Sequence, residues 1–284
     1  ETPGMYAHKW VFLGLLLTQL CHGVVYKVEP HSGRGLVETL GAMKDGDILQ
    51  LEPGVYFGEI HCGGKFWAES VHSHIHIVGQ GSVFNCSGSG RALDAVGGTV
   101  SIEGIEFVGG ALTEGDGGCI RTLNTTLDIS NSRFDSCSAS GQGGAIFFAG
   151  ERGRSTMKNV DFVQCSALEG GAAAVASGAE LRMESCLMED NSCVLDGGSV
   201  LVHGTGSRLN LVGGNELVGS EALNGGAVTV REQAFAELIG RNSFRDNAAG
   251  FMGGAVCVLS GSSLHARTVD VAEDGLEVTQ NTAS

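Results

Sequence analysis

From residue 117 onward, a Gly-Gly pair followed by a small residue recurs at a nearly constant interval. No other feature limits the fold as tightly. The copies are Gly117-Gly118-Cys119-Ile120, Gly143-Gly144-Ala145-Ile146, Gly170-Gly171-Ala172-Ala173, Gly197-Gly198-Ser199-Val200, Gly225-Gly226-Ala227-Val228 and Gly253-Gly254-Ala255-Val256. Successive copies are 26, 27, 27, 28 and 28 residues apart. A second mark keeps step with the first: Phe134-x-x-Cys137, Phe162-x-x-Cys165, Met188-x-x-Asn191, Leu217-x-x-Ser220 and Phe244-x-x-Asn247 each end five or six residues before a Gly-Gly pair. Phe107 and Val278 begin weaker outer copies. Short alternating segments such as Leu127-Asp128-Ile129 and Leu181-Arg182-Met183 lie between the marks and predict strands.

A unit of this length cannot bury an apolar face alone, whereas stacked units share one interior and add a layer every ~4.8 Å. A propeller would need four strands in roughly 40 or more residues, and a leucine-rich repeat needs a helix and a Leu-x-x-Leu-x-Leu run. The expectation is an all-β, right-handed parallel β-helix with about nine coils of roughly 27 residues between Ile48 and Ser284. The 46 Gly among 284 residues fit many tight turns, and only 3 Pro with no Gly-X-Y period exclude collagen. Within each coil, Phe, Leu and Met fill the interior, while Asn, Ser or Cys at the turn stacks on its equivalent in the next coil. Leu36, Val37, Leu40 and Met43 fall at helical spacing, predicting a short amphipathic helix over Gly35–Ala42 that covers the first coil.

The chain carries 17 Lys+Arg against 32 Asp+Glu, a net charge of −15. A polyanion of this size is a poor partner for nucleic acid or an anionic membrane surface. Residues 1–23 carry Lys9, an apolar run over Trp10–Leu20 and then Cys21-His22-Gly23. That is the pattern of a secretory signal with a short upstream leader, too short in its apolar part to span a bilayer. Residues 24–284 form the expected β-helix domain, which the repeat phase predicts to continue past Ser284. A secreted or surface location follows, and it permits disulfides among the eight cysteines left after cleavage. Cys137 and Cys165 share a repeat slot on consecutive coils, and Cys62 and Cys86 lie about one coil apart, so these are the candidate pairs. A ladder of free buried thiols is the competing expectation. Asn85 and Asn124 head Asn-X-Ser/Thr sites for glycosylation.

The marks Gly-Gly-Ala-Ile/Val (143–146, 225–228, 253–256) and Phe-x-x-Asn (244–247) resemble the repeats of chlamydial polymorphic outer membrane proteins. The stretch Asp45-Gly46-Asp47-Ile48-Leu49-Gln50-Leu51-Glu52-Pro53-Gly54-Val55-Tyr56 is similar to the opening of pectin-lyase-like β-helices. Together the likeness covers about residues 35–284, and it implies surface display and adhesion.

No catalytic centre emerges from the residues. A polysaccharide lyase of this fold needs clustered acids with an Arg or Lys base, and a hydrolase needs paired carboxylates. Here Glu114, Asp116, Glu189, Asp190, Asp270, Glu273 and Asp274 are scattered and show no shared place on successive coils. Asp116, Gln142, Glu169 and Asp196 precede their Gly-Gly pairs, so the turn acids are either solvated or an edge site for Ca2+. His72, His74 and His76 alternate along one strand, with Ile75 and Ile77 facing the other way. With His61 they form a candidate Zn2+ or copper set, against the plain alternative of a solvated face. The functional expectation is a binding or adhesion module for an extracellular glycan or cell-surface ligand, with a polysaccharide lyase or glycoside hydrolase as the alternative and a structural spacer as a third.

Overall fold

The computed structural model describes residues 23–30, 35–57, 62, 67–69, 74–151, 153–267 and 276–284. Three parallel sheets wind into a β-solenoid of about eight turns, with 15, 8 and 7 strands among the described residues. One coil shows the plan. A long strand, Arg154–Val163, is followed by a corner and the short strand Ser166–Glu169. Gly170-Gly171 then reverses the chain into Ala173–Ala176, and a second turn returns it to the first sheet at Glu180–Glu184. We call the three sheets the bent, narrow and Gly-Gly sheets in that order.

The bend has a local cause. Gly104, Asn131, Asn159 and Ser185 occupy equivalent places midway along the strands of the bent sheet, each with φ between 50° and 72°. Gly tolerates that left-handed conformation freely, and Asn does so better than most residues. One such residue per coil folds every strand at the same point, so the sheet acquires two flat halves.

The large apolar marks form one internal ladder. Phe84 pairs with Phe107, Phe107 with Phe134, Phe134 with Phe162, Phe162 with Met188, and onward through Leu217 and Phe244 to Val278. Tyr56 extends it at the near end. The rings of Tyr56, Phe84, Phe107, Phe134 and Phe162 stack with centroids 5.2, 5.6, 4.9 and 5.0 Å apart. Parallel in-register pairing places like on like, which turns a sequence repeat into a continuous core.

The polar turn slot stacks as well. Asn191 accepts from the Cys165 backbone N–H at 2.9 Å and donates to the Phe162 carbonyl at 3.0 Å. Asn247 repeats this with Ser220 and Leu217. A second ladder, not expected from the sequence, runs through Asn215 and Asn242 at the bend, linked by a 2.8 Å bond. These amides are fully buried, and each satisfies backbone groups that the corner leaves without a sheet partner.

At the amino-terminal end, the helix forms over Gly35–Ala42, with Leu40 buried and Met43 packed against the core. The side chains of Leu36 and Val37 lie outside the described set. The helix does not precede the stack. Val25–Val28 forms an earlier strand that pairs with Ile48–Leu51, so among the described residues it, and not the Ile48 strand, is the edge at that end.

The cysteines correct one expectation. Cys62 and Cys86 are joined, but Cys137 is bonded to Cys119 and not to Cys165. Cys119 follows a Gly-Gly pair, and it reaches the turn slot because Gly110 leaves room: a Cβ there would lie 2.5 Å from the Cys119 sulfur. The same two places meet three turns further on as Ser199 and Ser220, whose hydroxyls are 2.7 Å apart. Where the slot holds the larger Asn191 or Asn247, the partner is Ala172 or Ala227.

Cys165 and Cys186 are free and buried. Burial pushes their thiols up to about 12 and about 11 respectively. Because the folded state holds these protons more tightly, their contribution to stability is intact below the unfolded thiol value of ~8.5 and drains away as pH rises toward 11–12. The melting temperature should therefore fall more steeply between pH 8.5 and 10.5 than in a Cys165→Ala/Cys186→Ala double variant. Parallel curves for the two proteins would disprove the assignment.

Candidate functional site

Chemistry-bearing side chains collect in two kinds of place: a sealed corner and an open face. The corner lies where the narrow sheet turns into the Gly-Gly sheet. Asp116, Gln142, Glu169, Asp196 and Asn224 stack there, one per coil, linked by Gln142 N–H to Asp116 at 2.8 Å, Gln142 to Glu169 at 2.8 Å and Asn224 to Asp196 at 2.9 Å. Arg231 crosses the corner and donates to both Glu169 oxygens at 2.9 Å, and also to Asp196. His203 reaches Gln142 at 2.9 Å and faces Glu232 at 3.3 Å. Glu169 and Asp196 are 8% and 6% exposed. Glu169 and Asp196 are not solvated, because the Arg231 guanidinium fills the space between them, whereas Asp116 at the end of the stack is half-buried. Beside this network, Phe147, Ala174 and Leu201 form an apolar strip on the outer side of the Gly-Gly sheet, yet all three are buried.

The open face is the outer side of the bend. Register places Val83, Glu106, Arg133, Asp161, Leu187, Glu216, Ser243 and Glu277 in one row. Its acids, Glu106, Asp161, Glu216 and Glu277, are not those singled out in the sequence, because separations that vary with coil length hide their shared place. Arg133 lies 2.9 Å from Asp135 and 3.8 Å from both Glu106 and Asp161. Partial burial would raise the Asp135 pKa, but hydrogen bonds from Ser136 and Arg133 outweigh it and hold the carboxyl below its ordinary value. Around Arg133 is a shallow cleft of about 300 Å3 that also takes in Ser132, Asn131 and Asn159. Farther along the same face, Asn215, Glu216, Arg241, Ser243, Arg245 and Glu277 line a cleft of about 510 Å3, with Arg245 bonded to Glu216 at 2.7 Å.

The other sequence candidates are placed as follows. His72 and His61 lie outside the described residues. His74 is exposed, with its Nε2 2.9 Å from the Ser101 hydroxyl, and His76 is next on the same outer row while Ile75 and Ile77 point inward. Among the described residues, no group of three or more His, Cys, Asp or Glu is arranged to hold a metal ion. Asp270, Glu273 and Asp274 also fall outside. Asn85 Oδ1 accepts hydrogen bonds from the backbone N–H and hydroxyl of Ser87 at 3.0 and 2.8 Å, within its own glycosylation motif. Asn124 is exposed on a turn. Sequence reasoning missed Arg231 and Arg133, and it noted His203 only as the start of a weak glycine-rich stretch, His203-Gly204-Thr205-Gly206. Only the Arg133 row had a signal in the sequence, its fixed place one residue before the large apolar mark. No protein-family model matches this chain, and no curated protein matches it either.

Proposed function

We propose that the chain is an extracellular β-solenoid binding module that holds a glycan or other hydroxyl-rich cell-surface ligand along the outer bend. The observation that supports this most is the pairing of donors and acceptors in both clefts: Arg133 with Glu106, Asp161 and Asn131, and Arg245 with Glu216 and Ser243. Sugar hydroxyls both donate and accept, so a recognising surface needs both kinds of group fixed side by side. A ladder of coils repeats such groups along an extended polymer. The net charge of −15 favours a neutral ligand over a polyanionic one.

Glycan-array screening of the chain, followed by titration of the best neutral oligosaccharide, tests this reading. Arg133→Ala and Arg245→Ala should each weaken binding about tenfold or more, since each removes a charged donor and strands its carboxylates. No glycan bound, or equal affinity in both variants, would remove the proposal. The same row places carboxylates on either side of an arginine, which supports polysaccharide lyase or hydrolase action as a second reading. Release of unsaturated or reducing sugar from a polymer, abolished in Arg133→Ala, would favour it over simple binding.

A further inference from the structure

The narrow sheet carries a different surface, away from both clefts. Leu168, Val194, Leu223 and Phe251 project outward from four successive coils and are 41%, 65%, 43% and 63% exposed. Leu168 and Val194 belong to hydrogen-bonded neighbours, the Leu223 methyls lie close to Gly250, and Phe251 comes next. Two residues back from Leu168, Val194 and Leu223, one register row holds Ser166, Ser192 and Glu221 and continues to Ala248, so small side chains flank Leu168 and Val194 and a carboxylate flanks Leu223.

The spacing selects what can lie on it. Four rungs at about 4.8 Å span about 14 Å, whereas alternate residues of a strand laid along the axis would span about 20 Å over the same four contacts. An α-helix with apolar residues at every turn spans about 16 Å, so it stays within about 2 Å of register from end to end. Charge selects further. The described strands of the narrow sheet contain no Lys or Arg, and Asp190, Glu221 and Asp246 are exposed along its edge.

We propose that this ladder docks a basic, amphipathic α-helix of a partner protein, lying parallel to the solenoid axis. Leucines at helical spacing would enter between the rungs, and lysines would face the acidic edge.

The test uses the whole chain and a labelled peptide of about 18 residues with Leu at i, i+3, i+4 and i+7 and Lys elsewhere. Fluorescence polarisation should show saturable binding. A peptide of identical composition rearranged to alternate Leu and Lys should bind at least about tenfold more weakly. Leu223→Ser/Phe251→Ser should lose a similar factor while its melting temperature stays close to wild type, because both side chains are exposed. Equal binding of the two peptides would mean charge attraction alone and would overturn the proposal, as would no binding or an unaffected double variant. A dimer of the unliganded chain that the double variant dissolves would assign the ladder to a second copy instead, and would equally overturn it.

Discussion

Gly171→Ala is expected to lower stability by about 3 kcal/mol and the melting temperature by roughly 6–12 °C, although it adds a single methyl group. The reason is a collision with backbone. A Cβ on Gly171 would sit 2.1 Å from the Gly198 carbonyl oxygen and 2.5 Å from that of Ser192, both on the following coil. Neither oxygen can move alone, because Ser192 belongs to the narrow sheet and Gly198 donates its own N–H to Gly225. The same close approach recurs at Gly144, Gly198 and Gly226. Relief at one level would separate two coils and weaken every ladder that crosses that junction. Gly250→Ala is the control, since its nearest neighbour is a Leu223 methyl at 3.6 Å. Thermal melts of both variants decide the matter: equal melting temperatures would show that the pairs are conserved in spacing for some reason other than contact.

Arg231→Met should cost about 3–5 kcal/mol at neutral pH. Its guanidinium is the cation shared by Glu169 and Asp196, whose side chains are 11% and 8% exposed. Removing it leaves two carboxylates close together with neither a counter-ion nor free access to water. A triple variant, Arg231→Met/Glu169→Met/Asp196→Leu, should recover most of the loss, since it restores a neutral corner over the strip of Phe147, Ala174 and Leu201. A triple variant no more stable than Arg231→Met would show that Arg231 acts through packing and not through charge.

The two variants mark the boundary of what the residues reveal when read in order. Gly171 is visible as half of a repeated pair at a steady interval, and the interval itself demands stacked coils. Arg231 is not visible, because it has no equivalent on neighbouring coils and meets Glu169 across 62 residues. The Phe134 and Phe162 marks announce the core, and Tyr56 and Phe84 extend it without carrying the full motif. The disulfide shows an intermediate case. Cys119/Cys137, Ser199/Ser220 and Ala172/Asn191 covary in size within the one chain, which is a legible signal. Stacking of Cys137 on Cys165 is the simpler geometry by repeat position, but it neglects the space left by Gly110.

Periodicity alone determined the solenoid, the inward ladder and the polar turn slots, because parallel in-register pairing maps equal positions in the repeat onto one line in space. Which charged groups meet, which outer faces are sealed and which stay open was decided only by the tertiary structure. Those contacts cross corners between sheets, where the distance depends on bend angles and side-chain length, and no count of residues along the chain encodes either.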